Sequence, residues 1–154
     1  MFKEITENEK LLLEKAKVIL SMNSDIGAAL TGSLMLAFRG IERRREAVDI
    51  DIVCEFLCEN EEGFPSMPTE YKLSEMEGGK SEVEAIQFIS KMDYTKIDFL
   101  YSDEEIECVD GIMLGSVKEL IEAKERYAEN DKCDESRGKH KLDLVVLWNA
   151  RNNS

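Results

Sequence analysis

The run from Ala47 to Leu57, AVDIDIVCEFL, constrains this chain more than any other stretch. Apolar and acidic residues alternate through Val48-Asp49-Ile50-Asp51-Ile52, and several of the apolar ones are β-branched. That pattern predicts a strand over residues 47–57. Successive side chains in a strand take opposite faces, so Asp49 and Asp51 share one face while Ile50 and Ile52 share the other. The chain must therefore build a sheet whose one face buries the isoleucines. The other face must accommodate two neighbouring carboxylates that repel each other.

The flanking sequence supplies elements to complete such a sheet. Ile5, Leu12, Leu13, Ala16, Ile19 and Leu20 recur at helical spacing and predict a helix over residues 4–22. Ile26 to Leu30 is a short apolar run expected to form a buried strand. Gly32 then suits a tight turn, and Ser33 is placed to cap a second helix running through Phe38. Further strands are expected at Tyr71–Met76, Val83–Ile89 and Thr95–Tyr101, the last two joined as a hairpin around Met92-Asp93. Pro65 and Pro68 mark their surroundings as loop. Ser116 and Glu119 form a capping-box pattern that opens a helix to about Ala128. A polar loop from Asn130 to Ser136 and a final helix over about 137–149 follow. The expected architecture is α+β (α/β): a mixed sheet of about 4–6 strands flanked by helices. A chain of 154 residues fits one domain, with its core over about 26–148.

Composition narrows the functional classes. No run of eighteen apolar residues is present, so no membrane span is expected. The charged N-terminal segment does not have the pattern of a signal peptide, and a cytoplasmic location is the expectation. Cys54, Cys58, Cys108 and Cys133 contain no CxxC pair and read as thiols; Cys54 and Cys58 read as core packing. His140 is the single histidine, which leaves little material for a histidine zinc site or a catalytic triad. The net charge of −13 opposes nonspecific binding to nucleic acid and acidic membranes.

The paired carboxylates carry the chemistry. Their repulsion is relieved by a cation, and hard oxygen donors suit Mg²⁺ or Mn²⁺. Asp98, between Ile97 and Phe99 in a predicted strand, is a third carboxylate in a similar setting; Asp93 and Asp103 sit in turn-like contexts. Were the two strands neighbours, Asp49, Asp51 and Asp98 would converge as ligands for two divalent ions, able to clamp triphosphate oxygens and activate a hydroxyl. Upstream, Gly32 permits close approach of backbone to a phosphate. The free N–H groups of a helix start favour an anion, and Ser33 adds a hydroxyl. Lys124 falls on the inward stripe of Val117, Leu120, Ile121 and Ala128 and needs an anion there. A triphosphate supplies one; so does Asp143, which interrupts the apolar helix 142–148. The basic cluster of Arg137, Lys139, His140 and Lys141 opposes the helix dipole at a helix start and favours a nearby anion. Arg43, Arg44 and Arg45 read as an exposed loop offsetting local acid.

The order Thr31-Gly32-Ser33, fifteen residues, Asp49-Ile50-Asp51 and a later strand Asp98 resembles the nucleotidyltransferase superfamily, the DNA polymerase β-like fold. SVKELIEAK over 116–124, followed by Arg137-Gly138-Lys139 and Asp143, is similar to small bacterial nucleotidyltransferases of the abortive-infection toxin type. The resemblance covers about residues 26–148. It implies transfer of a nucleoside monophosphate from a nucleoside triphosphate to a hydroxyl, with release of pyrophosphate. It assigns the metals to Asp49, Asp51 and Asp98, and the catalytic proton to Asp98. It assigns the nucleotide to Gly32, Ser33, Lys124 and Arg137. The acceptor is left open: an RNA end, a protein or a small molecule. Two other expectations stand beside the enzyme: a catalytically silent nucleotidyltransferase-like binding module, and a toxin held by an antitoxin-like partner protein.

Overall fold

The structure is a computed structural model that describes residues 2–60, 62–78 and 83–152. Helix α1 spans Glu7–Met22. It starts at Glu7 rather than residue 4 because Thr6 closes a capping box. The Thr6 hydroxyl accepts from the Glu9 N–H at 3.1 Å, and the Glu9 carboxylate accepts from the Thr6 N–H at 3.0 Å. Its apolar stripe, Leu12, Leu13, Ala16, Ile19 and Leu20, is buried as the periodicity requires.

A 3-10 turn over Ser24–Ile26 ends at Gly27, whose φ of 66° only glycine adopts easily. The first strand therefore begins later than its apolar run: β1 is Ala29–Thr31. Helix α2, Gly32–Arg39, follows at once. Thr31, not Ser33, holds the cap position, and Ser33 lies inside the first turn. Strand β2 is Ile50–Cys54, shorter than 47–57, so Asp49 stands one residue before it. Strands β3 (Tyr71–Gly78), β4 (Val83–Ser90) and β5 (Lys96–Tyr101) follow; β4 and β5 form the expected hairpin, and β3 pairs antiparallel with β4. The stretch between β2 and β3 is irregular around its prolines; Glu61 lies outside the described residues.

Two short strands lie beyond what the pattern predicted. β6 (Glu107–Val109) and β7 (Ile112–Leu114) pair across Asp110-Gly111, whose φ values of 49° and 82° are those of a tight hairpin turn. Among the described residues the sheet thus has seven strands, not four to six, in the order β3-β4-β5-β2-β1-β7-β6. It is mixed: β1 runs parallel to β7 and β2 parallel to β5, and the other pairs are antiparallel.

Helices α3 (Val117–Asn130) and α4 (Asp134–Asn152) close the chain. Ser116 caps α3, accepting from the Glu119 N–H at 2.9 Å. The expected loop shrinks to residues 131–133, because Asp134 and Glu135 favour the positive end of a helix and enter its first turn. Contacts between Tyr127 and His140 and between Lys124 and Asp143 show that the two helices run antiparallel.

The register divides the sheet's two faces. Leu30, Ile52, Phe99 and Ile86 align across four strands and are fully buried, in one core with apolar residues of α1 and α2. This burial is the dominant stabilising contribution. Cys54 joins that core; Cys54, Cys58, Cys108 and Cys133 are all free thiols. A buried pair ties the N-terminus to the loop before β2. Arg43 and Glu9 are both inaccessible, and Arg43 also donates to the carbonyls of Lys3 and Glu4 at 3.0 Å. No helix among the described residues is long and apolar enough to cross a membrane.

Candidate functional site

The opposite face of the sheet carries a polar row. Thr31 aligns with Asp51, Asp51 with Asp98, and Asp98 with Gln87, on β1, β2, β5 and β4 in turn. Residues directly in register share a face, so all four side chains project to the same side. The Gln87 amide donates to Oδ1 of Asp98 at 2.8 Å and fixes that carboxyl.

The electrostatics follow from this alignment. Surrounding protein, the Asp98 charge and the Asp49 charge together push the Asp51 carboxyl up to about 7; Lys124 opposes them. Two carboxyls aligned in register repel when both are charged, so this pair favours a state in which one holds a proton. Asp49, partly buried beside them, is also raised, by desolvation and by Asp98, with the Lys96 backbone and charge opposing. The chain has thus gathered acidic groups more closely than their charges favour.

Gly32 abuts this pair. Its φ is 70°, and a Cβ there would stand 2.3 Å from Oδ2 of Asp51. Glycine is required both for the turn and for the space. It places the first turn of α2, with the N–H end of the helix, beside the carboxylates. A cavity of about 300 Å³ lies over the row, walled by Gly32, Ser33, Asp51, Asp98, Lys124 and Tyr127 among others.

Of the two partners its inward position allows, Lys124 takes Asp143. It lines this cavity, and its ammonium lies 3.3 Å from Oδ2 of Asp143. Asp143 also accepts from Arg44 at 2.8 Å and from Arg45 at 3.3 Å. Burial pushes the Asp143 carboxyl up, but Arg44, Lys124 and Arg45 hold it below the usual range. Three cations therefore converge on one carboxylate within a strongly acidic chain.

Asp51, Asp98, Gly32, Ser33 and Lys124 are brought together, and Asp49 stands at their edge. Arg137 is not among the cavity's lining residues; it bonds the Asp131 carbonyl and pairs with Asp134. The arginine run splits: Arg43 is a buried structural residue, while Arg44 and Arg45 reach Asp143. Gln87, Tyr127 and Glu104 were not anticipated at the site; His140, from the basic cluster expected to favour an anion, lines the cavity as well. The hairpin turn around Met92-Asp93 was sufficient to set Gln87 opposite Asp98. For Glu104, on an irregular segment, no sequence signal pointed inward.

Carboxylate oxygens are the donors a hard divalent cation takes. The raised Asp51 carboxyl and its alignment with Asp98 fit such an ion. Among the described residues, no group of three or more His, Cys, Asp or Glu side chains is closed around a common metal position. The fit rests on the Asp51–Asp98 pair. No protein-family model matches this chain, and no curated protein matches it.

Proposed function

We propose that the chain is a divalent-metal-dependent nucleotidyltransferase. It would move a nucleoside monophosphate from a nucleoside triphosphate to a hydroxyl acceptor. One observation carries the reading: Asp51 and Asp98 face each other in register beside the N-terminal turn of α2, in a cavity that also holds Lys124.

In this reading Asp51 and Asp98, with Asp49 beside them, would hold Mg²⁺ or Mn²⁺. Bound there, the cation supplies charge neutralisation at phosphate oxygens and makes a hydroxyl more acidic. The acceptor oxygen attacks the α-phosphorus; that O–P bond forms as the P–O bond to pyrophosphate breaks. Asp98, oriented by Gln87, takes the acceptor's proton. The backbone N–H groups of Gly32 and Ser33 face the phosphates. Lys124 offsets charge on the departing pyrophosphate. Positioning and fixed charge supply most of the acceleration.

The test is a panel of acceptors (RNA ends, proteins and small hydroxyl compounds) incubated with Mg²⁺ and α-labelled nucleoside triphosphates. Label transfer by the native chain, lost in Asp51→Asn with Asp98→Asn, is the expected result. Undiminished transfer by that double variant sinks the proposal. Nucleotide binding with no transfer to any acceptor favours the silent binding module instead.

A further inference from the structure

The cavity over the carboxylates has two chemically different ends. Ser33 and Lys124 belong both to the cavity and to a small adjoining crevice, which Arg44, Arg45 and Asp143 line. That end is cationic. One helical turn further along α3, Tyr127 lines the cavity together with His140 of α4. The two rings lie with centroids 5.4 Å apart and planes inclined by 40°. Tyr127 remains 45% exposed, so its contact with His140 leaves much of the side chain accessible. Tyr127 and His140 are the aromatic groups of this cavity's wall, whose other apolar lining is aliphatic: Val53, Leu100, Leu120 and Ala123.

Two buried side-chain nitrogens among the described residues make no hydrogen bond: Nη2 of Arg44 and Nδ1 of His140. They belong to opposite ends of this continuous lining. Both atoms are shielded from the cavity, so a ligand there meets the accessible faces of the two side chains and not these nitrogens.

We propose that Tyr127, in contact with His140, is the platform on which the nucleobase of the substrate stacks. The phosphates then point past Lys124 toward Arg44. The inference rests on the nucleotide reading above and deepens it, since it fixes which way the substrate lies. A large planar heteroaromatic group against an exposed tyrosine face is a stabilising contact that any base can make.

The experiment is calorimetric titration of the full chain, with Mg²⁺, using two kinds of probe. One is inorganic triphosphate, which has no base. The other is a set of nonhydrolysable α,β-methylene analogues of ATP, GTP, CTP and UTP. Tyr127→Ala is expected to weaken the analogues about tenfold while leaving inorganic triphosphate unchanged. Tyr127→Phe, which keeps the ring, is expected to retain native affinity for both. Equal weakening of both probes by Tyr127→Ala, or no weakening of any analogue, overturns the platform while the nucleotide reading stands. A native chain that binds neither probe overturns the nucleotide reading and the platform with it. Circular dichroism of each variant separates lost binding from lost fold.

Discussion

Asp51 and Asp98 stand directly opposite each other on the parallel strands β2 and β5, two acids in register on one face of the sheet. Parallel neighbours with like charge in register are destabilising unless a proton or a cation intervenes. Asp51 is therefore the residue through which pH acts on this fold, and through which the proposed metal would act.

In metal-free buffer, stability is expected to fall as pH rises from about 4 to 7. The sign follows from proton counting. The unfolded chain releases the Asp51 proton near 3.8, whereas the folded chain keeps it to about 7. The folded state then binds more protons across that window and loses stability as they leave. The full effect is at most about 4 kcal/mol. Asp51→Asn is expected to flatten this dependence, and Mg²⁺ to restore stability to the native chain above pH 7. Urea unfolding across the pH range, with and without Mg²⁺, measures all three. A native profile that matches the Asn variant's counts against the account.

Gly32→Ala is expected to be poorly tolerated. The added Cβ meets the Asp51 carboxylate at 2.3 Å and demands a left-handed backbone of an L-residue. A cost of about 1–3 kcal/mol follows from the backbone conformation alone. The displaced carboxylate should also weaken Mg²⁺ binding beyond what the stability loss explains. Thermal melts and metal titration of the variant separate the two effects.

Gln87→Leu removes the amide that orients Asp98 at 2.8 Å while roughly preserving side-chain bulk. Groups that orient a metal-binding carboxylate typically contribute about 10–100-fold in affinity. The expected outcome is a loss of Mg²⁺ or Mn²⁺ affinity in that range, with the unfolding midpoint little changed. Unaltered Mn²⁺ binding by electron paramagnetic resonance would remove Gln87 from the site.

Arg43→Met leaves the Glu9 carboxylate buried without its guanidinium. Removing one partner of such a pair costs about 3–5 kcal/mol. Burial pushes Glu9 up, but Arg43 and the N–H groups of Ala47 and Thr6 more than offset this and leave it lowered. Its contribution is therefore present above pH 4.5 and is lost as pH falls below that value. Denaturant unfolding at neutral pH should show the full loss for Arg43→Met, and at acidic pH a smaller difference from the native chain.

The polar row shows what was legible in the sequence and what was not. The alternation around Ile50 and Ile52 placed Asp51 on the face away from the core. The same alternation did the same for Asp98 between Ile97 and Phe99. Period-two patterning is local, and these strands obey it. Neither alternation says that β2 and β5 are neighbours; that is a tertiary choice made by the whole sheet. Strands β6 and β7 escaped because three residues carry no measurable period, although Asp110-Gly111 was a hairpin signal in plain view. Arg43 read as exposed because its acidic partner lies 34 residues away on α1. The start of α2 shifted because Gly32 itself enters the helix, handing the cap position to Thr31.

The row Thr31, Asp51, Asp98 and Gln87 also bears on how the molecule reaches its working state. Its members come from strands β1, β2, β5 and β4, and the β2–β5 pairing joins segments separated by the whole β3–β4 excursion. Such nonlocal parallel pairings form late, after long loops have closed. No hairpin or isolated helix of this chain holds the site, so a partly folded molecule cannot mimic it. A divalent ion bound to Asp51 and Asp98 would select completed molecules alone, and its concentration would set the midpoint of unfolding by mass action.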